Sequence, residues 1–289
     1  MDQAEQLRNV IRAKNVRPVS KARVITITSG KGGVGKSNIA VNLAVQLRKI
    51  GKKVIIFDAD MGLANVEVMF GSIPKYNLSD MIYHGKKIRE IITEGPMEIG
   101  FISGGNGIIG MNNLSRHQLA RLVDNLVELD ELTDFILIDT GAGIASNVME
   151  FVLASPEVLL VLTPEPSSLT DSYSLIKALY GTPGFVRHGT NIEVVVNRTM
   201  TAEDGRIVYG KLSSVISKFL QGDVRFFGTI PQDVQLERSV RAQKIVSLSV
   251  PNARSSRAFE QLAQSLIDKR PMIAEEKQGI RQMLYNFFR

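Results

Sequence analysis

A glycine-rich stretch near the N-terminus constrains the fold more than any other feature of this 289-residue chain. The β-branched segment 23–28 precedes it, and residues 30–37 read Gly-Lys-Gly-Gly-Val-Gly-Lys-Ser. An apolar segment typical of a helix then runs to Ile50. Strand, glycine loop and helix in this order match the G-x-x-x-x-G-K-[ST] pattern in the context it requires. We therefore expect a tight loop between the end of a buried strand and the start of a helix.

This loop predicts a phosphate site. Successive backbone N–H groups form a concave surface for phosphate oxygens, and the positive end of the following helix adds to the attraction. Lys36 is expected to reach the β- and γ-phosphates, and the Ser37 hydroxyl to bind Mg²⁺. The nucleotide-binding residues expected in this segment are Gly30, Lys31, Gly32, Gly33, Val34, Gly35, Lys36, Ser37 and Asn38.

Short apolar strands and amphipathic helices alternate along the rest of the chain. After a strand at 54–57, further strands are predicted at 99–102, 135–138, 158–162, 192–196 and 226–229. Helices are predicted at 115–130, 167–180, 205–220 and 255–269. This alternation favours βαβ units, and hence a single-domain α/β fold with a mostly parallel sheet flanked by helices.

Composition narrows the function classes. The chain has no cysteine, which excludes disulfides, thiolate zinc sites and cysteine-ligated iron–sulfur clusters. No apolar run approaches the roughly 18 residues of a membrane span, and the first residues do not resemble a signal peptide. We therefore expect a cytoplasmic protein. Residues 24–268 hold 24 basic and 25 acidic side chains, so the basic excess lies in the two ends, which favours acidic partners there.

Polar residues follow several of the predicted strands. Asp58 and Asp60 end one strand and Asp139 another, at the sheet edge where ligands bind in open α/β folds. A carboxylate fixed by a buried strand, as at Asp139, suits a magnesium site. The Asn197 side chain can both donate to and accept from a purine edge. The chain has no Asn-Lys-x-Asp guanine motif, so ATP is favoured over GTP as the nucleotide.

Lys31, directly after the first glycine, gives a loop that resembles the deviant Walker A motif of the MinD/ParA family of P-loop ATPases. The resemblance implies a MinD-like P-loop architecture and a Mg²⁺-dependent ATPase that forms an ATP-sandwich homodimer, in which Lys31 touches the partner's phosphates. It also implies that Asp60 positions the attacking water and that Asp58 supports the switch loop or the water shell of Mg²⁺. The implied sets are catalytic Lys31, Lys36, Asp60 and Asp139; metal-binding Ser37, Asp58 and Asp139; and adenine-binding Asn197, Arg198 and Pro231.

The end of the chain carries one apolar stripe at helical spacing, formed by Ile280, Met283, Leu284, Phe287 and Phe288. Basic residues lie beside the stripe. Such a helix can dock on the protein's own core or lie in an anionic membrane surface. MinD-like proteins end in a similar membrane-targeting helix, so the resemblance favours membrane binding at the inner face of the cell membrane in the ATP state.

The start of the chain resembles the N-terminal segment of the FlhG (FleN/YlxH) family of regulators of flagellar number and placement. Asp2, Gln3, Leu7 and Arg8 match the motif, and the resemblance implies that they activate an FlhF-like GTPase. A flagellar basal-body component or a transcription factor is a further partner that the resemblance allows. The predicted organisation is therefore a partner-binding helix and linker at 1–22, an ATPase domain at 23–270, and a linker with a membrane-targeting helix at 271–289.

Two alternatives remain. A MinD-type cell-division site ATPase would share the body and the tail, and only the N-terminal arm argues against it. A ParA-type DNA segregation ATPase needs a basic surface on its body, which the charge balance of 24–268 disfavours.

Overall fold

The computed structural model describes residues 22–60, 65–105, 116–183, 185, 190–268, 279–280 and 283–284. The N-terminal arm, with Asp2, Gln3, Leu7 and Arg8, lies outside the described residues, as do Phe287 and Phe288.

One mixed sheet forms the centre of the described fold. Its eight strands run in the order β3-β4-β2-β5-β1-β6-β7-β8. Only the edge strand β3 is antiparallel to its neighbour. The strands are β1 Arg23–Ser29, β2 Val54–Ala59, β3 Thr93–Glu94, β4 Gly100–Ser103, β5 Phe135–Ala142, β6 Glu157–Leu162, β7 Asn191–Thr199 and β8 Arg225–Pro231. The predicted mostly parallel α/β sheet is confirmed. Its central strands are apolar on both faces, and helical crossovers between parallel strands cover both faces of such a sheet.

Helices cover both faces of this sheet. They are α1 Lys36–Lys49, α2 Asn65–Phe70, α3 Leu78–Tyr83, α4 Ile88–Ile91, α5 Arg116–Val127, α6 Leu129–Leu132, α7 Ser146–Ala154, α8 Pro166–Gly181, α9 Ala202–Leu220, α10 Val234–Arg241, α11 Val246–Ser249 and α12 Arg254–Asp268. The four helices predicted after the first are present. That at 115–130 is interrupted near Glu128, where the chain starts the short α6.

Two apolar layers stabilise the domain. On one face, α1 and α12 pack over alternate residues of the central strands, including Ile25, Ile27 and Leu137. On the other face, α3, α5 and α7 pack over the alternate set, and α8 and α9 continue this layer. The central strands β2, β5 and β1 are therefore held rigidly, and their carboxyl ends form one stable edge.

The C-terminal stripe packs on this second face. Ile280, Met283 and Leu284 are each no more than 5% exposed and lie in an apolar groove. Phe57, Leu78, Leu122, Leu126, Leu129, Ile136, Ile138 and Phe151 line the groove with them. Three of the five residues predicted to enter the membrane thus contact the protein's own core in this conformation. Over the described part of the chain, no helix is both long and apolar enough to cross a bilayer.

Candidate functional site

The glycine loop lies between β1 and α1 at the centre of the sheet edge. Gly33 and Gly35 have φ angles of 74° and 102°, which side chains with a Cβ rarely adopt. Gly30 is required for another reason, because a Cβ there would lie 2.2 Å from the backbone carbonyl of Asp171 in α8. The loop is thus fixed both by its own backbone and by the close approach of α8.

Lys36 opens α1 and points back into the site. Its ammonium group donates to the Ser29 hydroxyl at 3.1 Å, and the side chain is buried. Burial lowers the pKa of Lys36, although Asp139 and Asp60 oppose this shift. A buried ammonium with a single hydroxyl partner has donors left for an anionic ligand such as a phosphate.

Asp139 is the most buried carboxylate of the site. Neither of its oxygens accepts a hydrogen bond from a described residue. Burial raises the pKa of Asp139 to about 6, and the nearby Ser37 hydroxyl and Lys36 offset only part of that shift. An unpartnered buried carboxylate beside a loop serine fits a hard divalent cation, since Mg²⁺ binds through one or two protein oxygens together with phosphate oxygens. No denser cluster of metal-ligating side chains occurs among the residues described.

Asp58 is the direct neighbour of Asp139 on the adjacent strand. Its carboxylate accepts hydrogen bonds from the backbone N–H groups of Asp60, at 3.1 Å, and Val66, at 3.4 Å. Burial and the charge of Asp139 raise the pKa of Asp58 to about 7. The Asp58 side chain therefore joins the end of β2 to the start of α2, and it lies close enough to Asp139 for their charges to interact.

Asp60 directly follows β2, near enough to Lys36 for their charges to interact. It is half-buried, and its carboxylate accepts from the Asn65 side-chain amide at 3.2 Å. Burial raises the pKa of Asp60, and the charge of Lys36 opposes the shift. A Cβ on Gly141 would lie 3.2 Å from the Asp60 carboxylate, so the end of β5 passes directly beside it.

Lys31 points away from the phosphate site. Its ammonium group donates to Glu165 at 2.8 Å and to the Ser167 hydroxyl at 2.7 Å. The hydrogen bond and the charge of Lys31 lower the pKa of Glu165. Both side chains are exposed enough for water to compete, so this contact is weak and exchangeable.

The residues expected to bind the base contact the backbone of the glycine loop. The Asn197 amide donates to the Val34 carbonyl at 2.7 Å and accepts from the Arg198 N–H. The Arg198 guanidinium donates to the Gly33 carbonyl at 2.8 Å, from a backbone with φ of 58°. Thr199 pairs with Pro231 in the β7–β8 register, which places Pro231 beside these residues. Asn197 and Arg198 thus brace the glycine loop, a contact that the sequence pattern did not predict.

These features together define a class of protein, a P-loop nucleotide-hydrolysing enzyme with its site at the carboxyl edge of a parallel sheet. The ParA family model, described as NUBPL iron-transfer P-loop NTPase, matches residues 20–267. Antiactivator FleN of Pseudomonas aeruginosa is 36% identical over 264 residues, covering 91% of this chain and 92% of FleN. Flagellum site-determining protein YlxH of Helicobacter pylori is 35% identical over 274 residues, covering 93% and 91% of the two chains.

Solved structures agree with this class. MinD of Pyrococcus horikoshii, solved as a complex with Mg-ADP, superposes with a TM-score of 0.67 at 26% identity, covering 86% of this chain and 96% of that one. The MinC:MinD complex of Aquifex aeolicus matches with a TM-score of 0.66 at 24% identity, covering 88% and 99%, and shows the shared fold. The chain belongs to the MinD/ParA family of P-loop ATPases, in the group that contains FleN and YlxH. It is therefore an ATPase.

Proposed function

We propose that this ATPase is a membrane-cycling switch that controls the number or placement of flagella. The observation that carries the proposal is the similarity to FleN and YlxH over nine-tenths of the chain. In this proposal the protein is cytoplasmic in its ADP state and peripheral at the inner face of the cell membrane in its ATP state.

In the proposed hydrolysis, residues at the carboxyl edge of the sheet share the chemical roles. Lys36 binds the β- and γ-phosphates and withdraws charge as the bond to the leaving ADP oxygen breaks. Asp60 orients a water for in-line attack on the γ-phosphorus and accepts its proton through the developing hydrogen bond. Ser37 and Asp139 would hold Mg²⁺, which supplies electrostatic stabilisation of the phosphate oxygens when bound. Asp58 keeps the Asp60 loop in position through its two backbone contacts.

Dimerisation is the step that ATP controls. Lys31 is held by Glu165 and Ser167 of its own chain, through contacts that water screens. In an ATP-sandwich homodimer its ammonium would exchange these partners for the γ-phosphate of the facing subunit, which carries more charge than one carboxylate. The exchange is favourable only when the partner holds ATP, so dimer formation reports nucleotide state.

Docking of the C-terminal segment means that the proposed membrane step requires its release. Ile280, Met283 and Leu284, three of the five residues proposed to enter the membrane, are buried in the groove. In this proposal they contact lipid only after the segment leaves the groove. One released helix binds lipid weakly, whereas two helices on one dimer bind much more tightly through effective concentration.

The N-terminal arm would act on the FlhF-like GTPase, with Gln3 approaching the partner's nucleotide and Leu7 packing on its surface. The test is the GTPase rate of the FlhF-like protein from the same organism with the full chain, with Gln3→Ala, and with Gln264→Ala as an exposed control. We expect stimulation that Gln3→Ala abolishes and Gln264→Ala retains.

Absence of stimulation by any of the three proteins would contradict the flagellar proposal. It would favour the MinD-type alternative, for which the Escherichia coli septum site-determining protein MinD, 27% identical over 273 residues, is the relative to consider.

A further inference from the structure

A dense run of basic residues follows the loop that leads from β8 into α10. Residues 238–257 contain five basic side chains and no acidic one. All five are exposed: Arg238 and Arg241 on α10, Lys244 in the next turn, and Arg254 and Arg257 on the first turns of α12. None of them forms an ion pair with another described residue, although the charge of Arg254 acts on Asp233 and the exposed Glu237 precedes Arg238 on α10. We call these five residues the basic surface.

Apolar side chains are interleaved with these cations. Val234 and Val240 on α10 are 56% and 44% exposed, and Leu248 on α11 is 36% exposed. A solvated charged face has no need of three large apolar groups among its cations. Their combination is typical of a protein–protein interface, in which apolar contacts supply binding energy and a charged rim supplies selectivity.

The backbone beneath the basic surface is firmly held. Asp233 accepts from the N–H groups of Gln235 and Ser255 and so ties the start of α10 to the start of α12. On the other side, the buried amides of Asn42 and Gln46 bond to Ser247, which ties α11 to α1. A surface fixed in this way loses little conformational entropy on binding.

Charge argues for a short acidic protein segment over a nucleic acid. Outside the basic surface, residues 24–237 and 258–268 hold 19 basic and 25 acidic side chains. An extended polyanion would be repelled by the net negative charge of these residues. A short segment interacts only with charges within about 8 Å at physiological salt.

We propose that the basic surface is a docking site for an acidic segment of a partner protein that carries apolar side chains between its carboxylates. The partner lies on the sheet face opposite the groove that holds Ile280, Met283 and Leu284, because α12 and α1 cover the first apolar layer and the groove belongs to the second. Occupation of the basic surface and docking of the C-terminal segment are therefore spatially independent.

The test uses the full chain and fluorescent probes of defined chemistry. The first probe is a short peptide of alternating Asp and Leu; the second replaces each Leu by Ser; the third is a short DNA duplex. Binding is followed by anisotropy at low and at physiological salt. The variants are Arg238→Glu/Arg241→Glu and, as a control of equal charge change, Lys177→Glu/Lys211→Glu, whose lysines are exposed on α8 and α9.

We expect the Asp/Leu peptide to bind best, and the Arg238→Glu/Arg241→Glu variant to raise its Kd by about tenfold or more. The control pair should change the Kd by less than about twofold. An Arg238→Gln/Arg241→Gln variant should give an intermediate loss. The proposal would be overturned if both Glu variants lost the same affinity for the Asp/Leu peptide, or if the Leu and Ser peptides bound equally well. It would also be overturned by tighter binding of the DNA, or by no peptide binding at low salt.

Discussion

Weakening the groove should release the C-terminal segment without ATP. Burial of Ile280, Met283 and Leu284 contributes about 1.5–3 kcal/mol each, or about 5–9 kcal/mol together. Docking also fixes the backbone of the segment, at a cost of about 1–2 kcal/mol for each residue ordered. Because this cost opposes the gain from burial, we expect small changes in the groove to shift the docking equilibrium.

Leu122→Ala is the perturbation of choice. Leu122 is 2% exposed on α5 and lines the groove. Truncation of a buried leucine costs about 2–5 kcal/mol. If about half of that loss falls on the docked segment, docking weakens by about 1–2.5 kcal/mol, a shift of roughly fivefold to sixtyfold toward the released form. The lipid-facing residues themselves are unchanged by this substitution.

The assay is co-sedimentation with anionic vesicles in the absence of ATP, beside hydrogen exchange of the Met283 N–H, which bonds to the Gly279 carbonyl. Leu122→Ala should raise both the bound fraction and the exchange rate. Leu212→Ala is the matched control, because Leu212 is 1% exposed on α9 and belongs to a different part of the core. If both variants lower Tm equally and neither raises vesicle binding, the groove does not control membrane access.

Three further predictions concern the nucleotide site. Gly30→Ala places a Cβ against the Asp171 carbonyl and should weaken ATP binding by about tenfold or more in calorimetry, whereas Gly32→Ala, with open space around it, should have the smaller effect. Glu165→Gln removes a partner of Lys31 and should raise the ATP-dependent dimer fraction about twofold to fivefold in sedimentation. The control, Glu203→Gln on α9, should leave the dimer fraction unchanged. An unchanged fraction for Glu165→Gln would show that the contact does not restrain Lys31. Burial raises the pKa values of Asp58 to about 7 and Asp139 to about 6, so the nucleotide-free protein binds more protons than its unfolded chain and should lose stability as the pH rises from about 4 through 7. Asp139→Asn should flatten that dependence and raise Tm at pH 8 by about 2–5 °C while abolishing hydrolysis, and an unchanged pH profile of Tm would refute the assignment.

The residues proposed for the central part of the site were identifiable from the sequence. The glycine loop, Lys36, Ser37 and the strand-end carboxylates follow from a motif whose geometry is set by local backbone requirements. The parallel sheet follows from apolar strands alternating with helices. The α7 helix after β5 was not predicted, because six of its nine residues are apolar and they follow a glycine-containing loop without a capping side chain.

Long-range contacts could not be read from the pattern. Glu165 and Ser167 are more than a hundred residues from Lys31, and no spacing rule pairs them. The amide of Asn197 suits a purine edge, yet the same groups bond equally well to the loop carbonyl of Val34. Likewise, an amphipathic stripe has the same apolar face whether it binds a membrane or the protein's own groove. The burial of Ile280, Met283 and Leu284 in the groove could therefore be seen only in the structure.

The most direct test of the membrane-switch proposal is co-sedimentation of the full chain with anionic vesicles in ATP and in ADP, beside Asp60→Ala and a truncation after Glu276. We expect the full chain to bind the vesicles in ATP and not in ADP. Asp60→Ala should stay bound longer, because hydrolysis no longer ends the ATP state, and the truncated chain should not bind. Equal binding in both nucleotides, or full binding by the truncated chain, would contradict it.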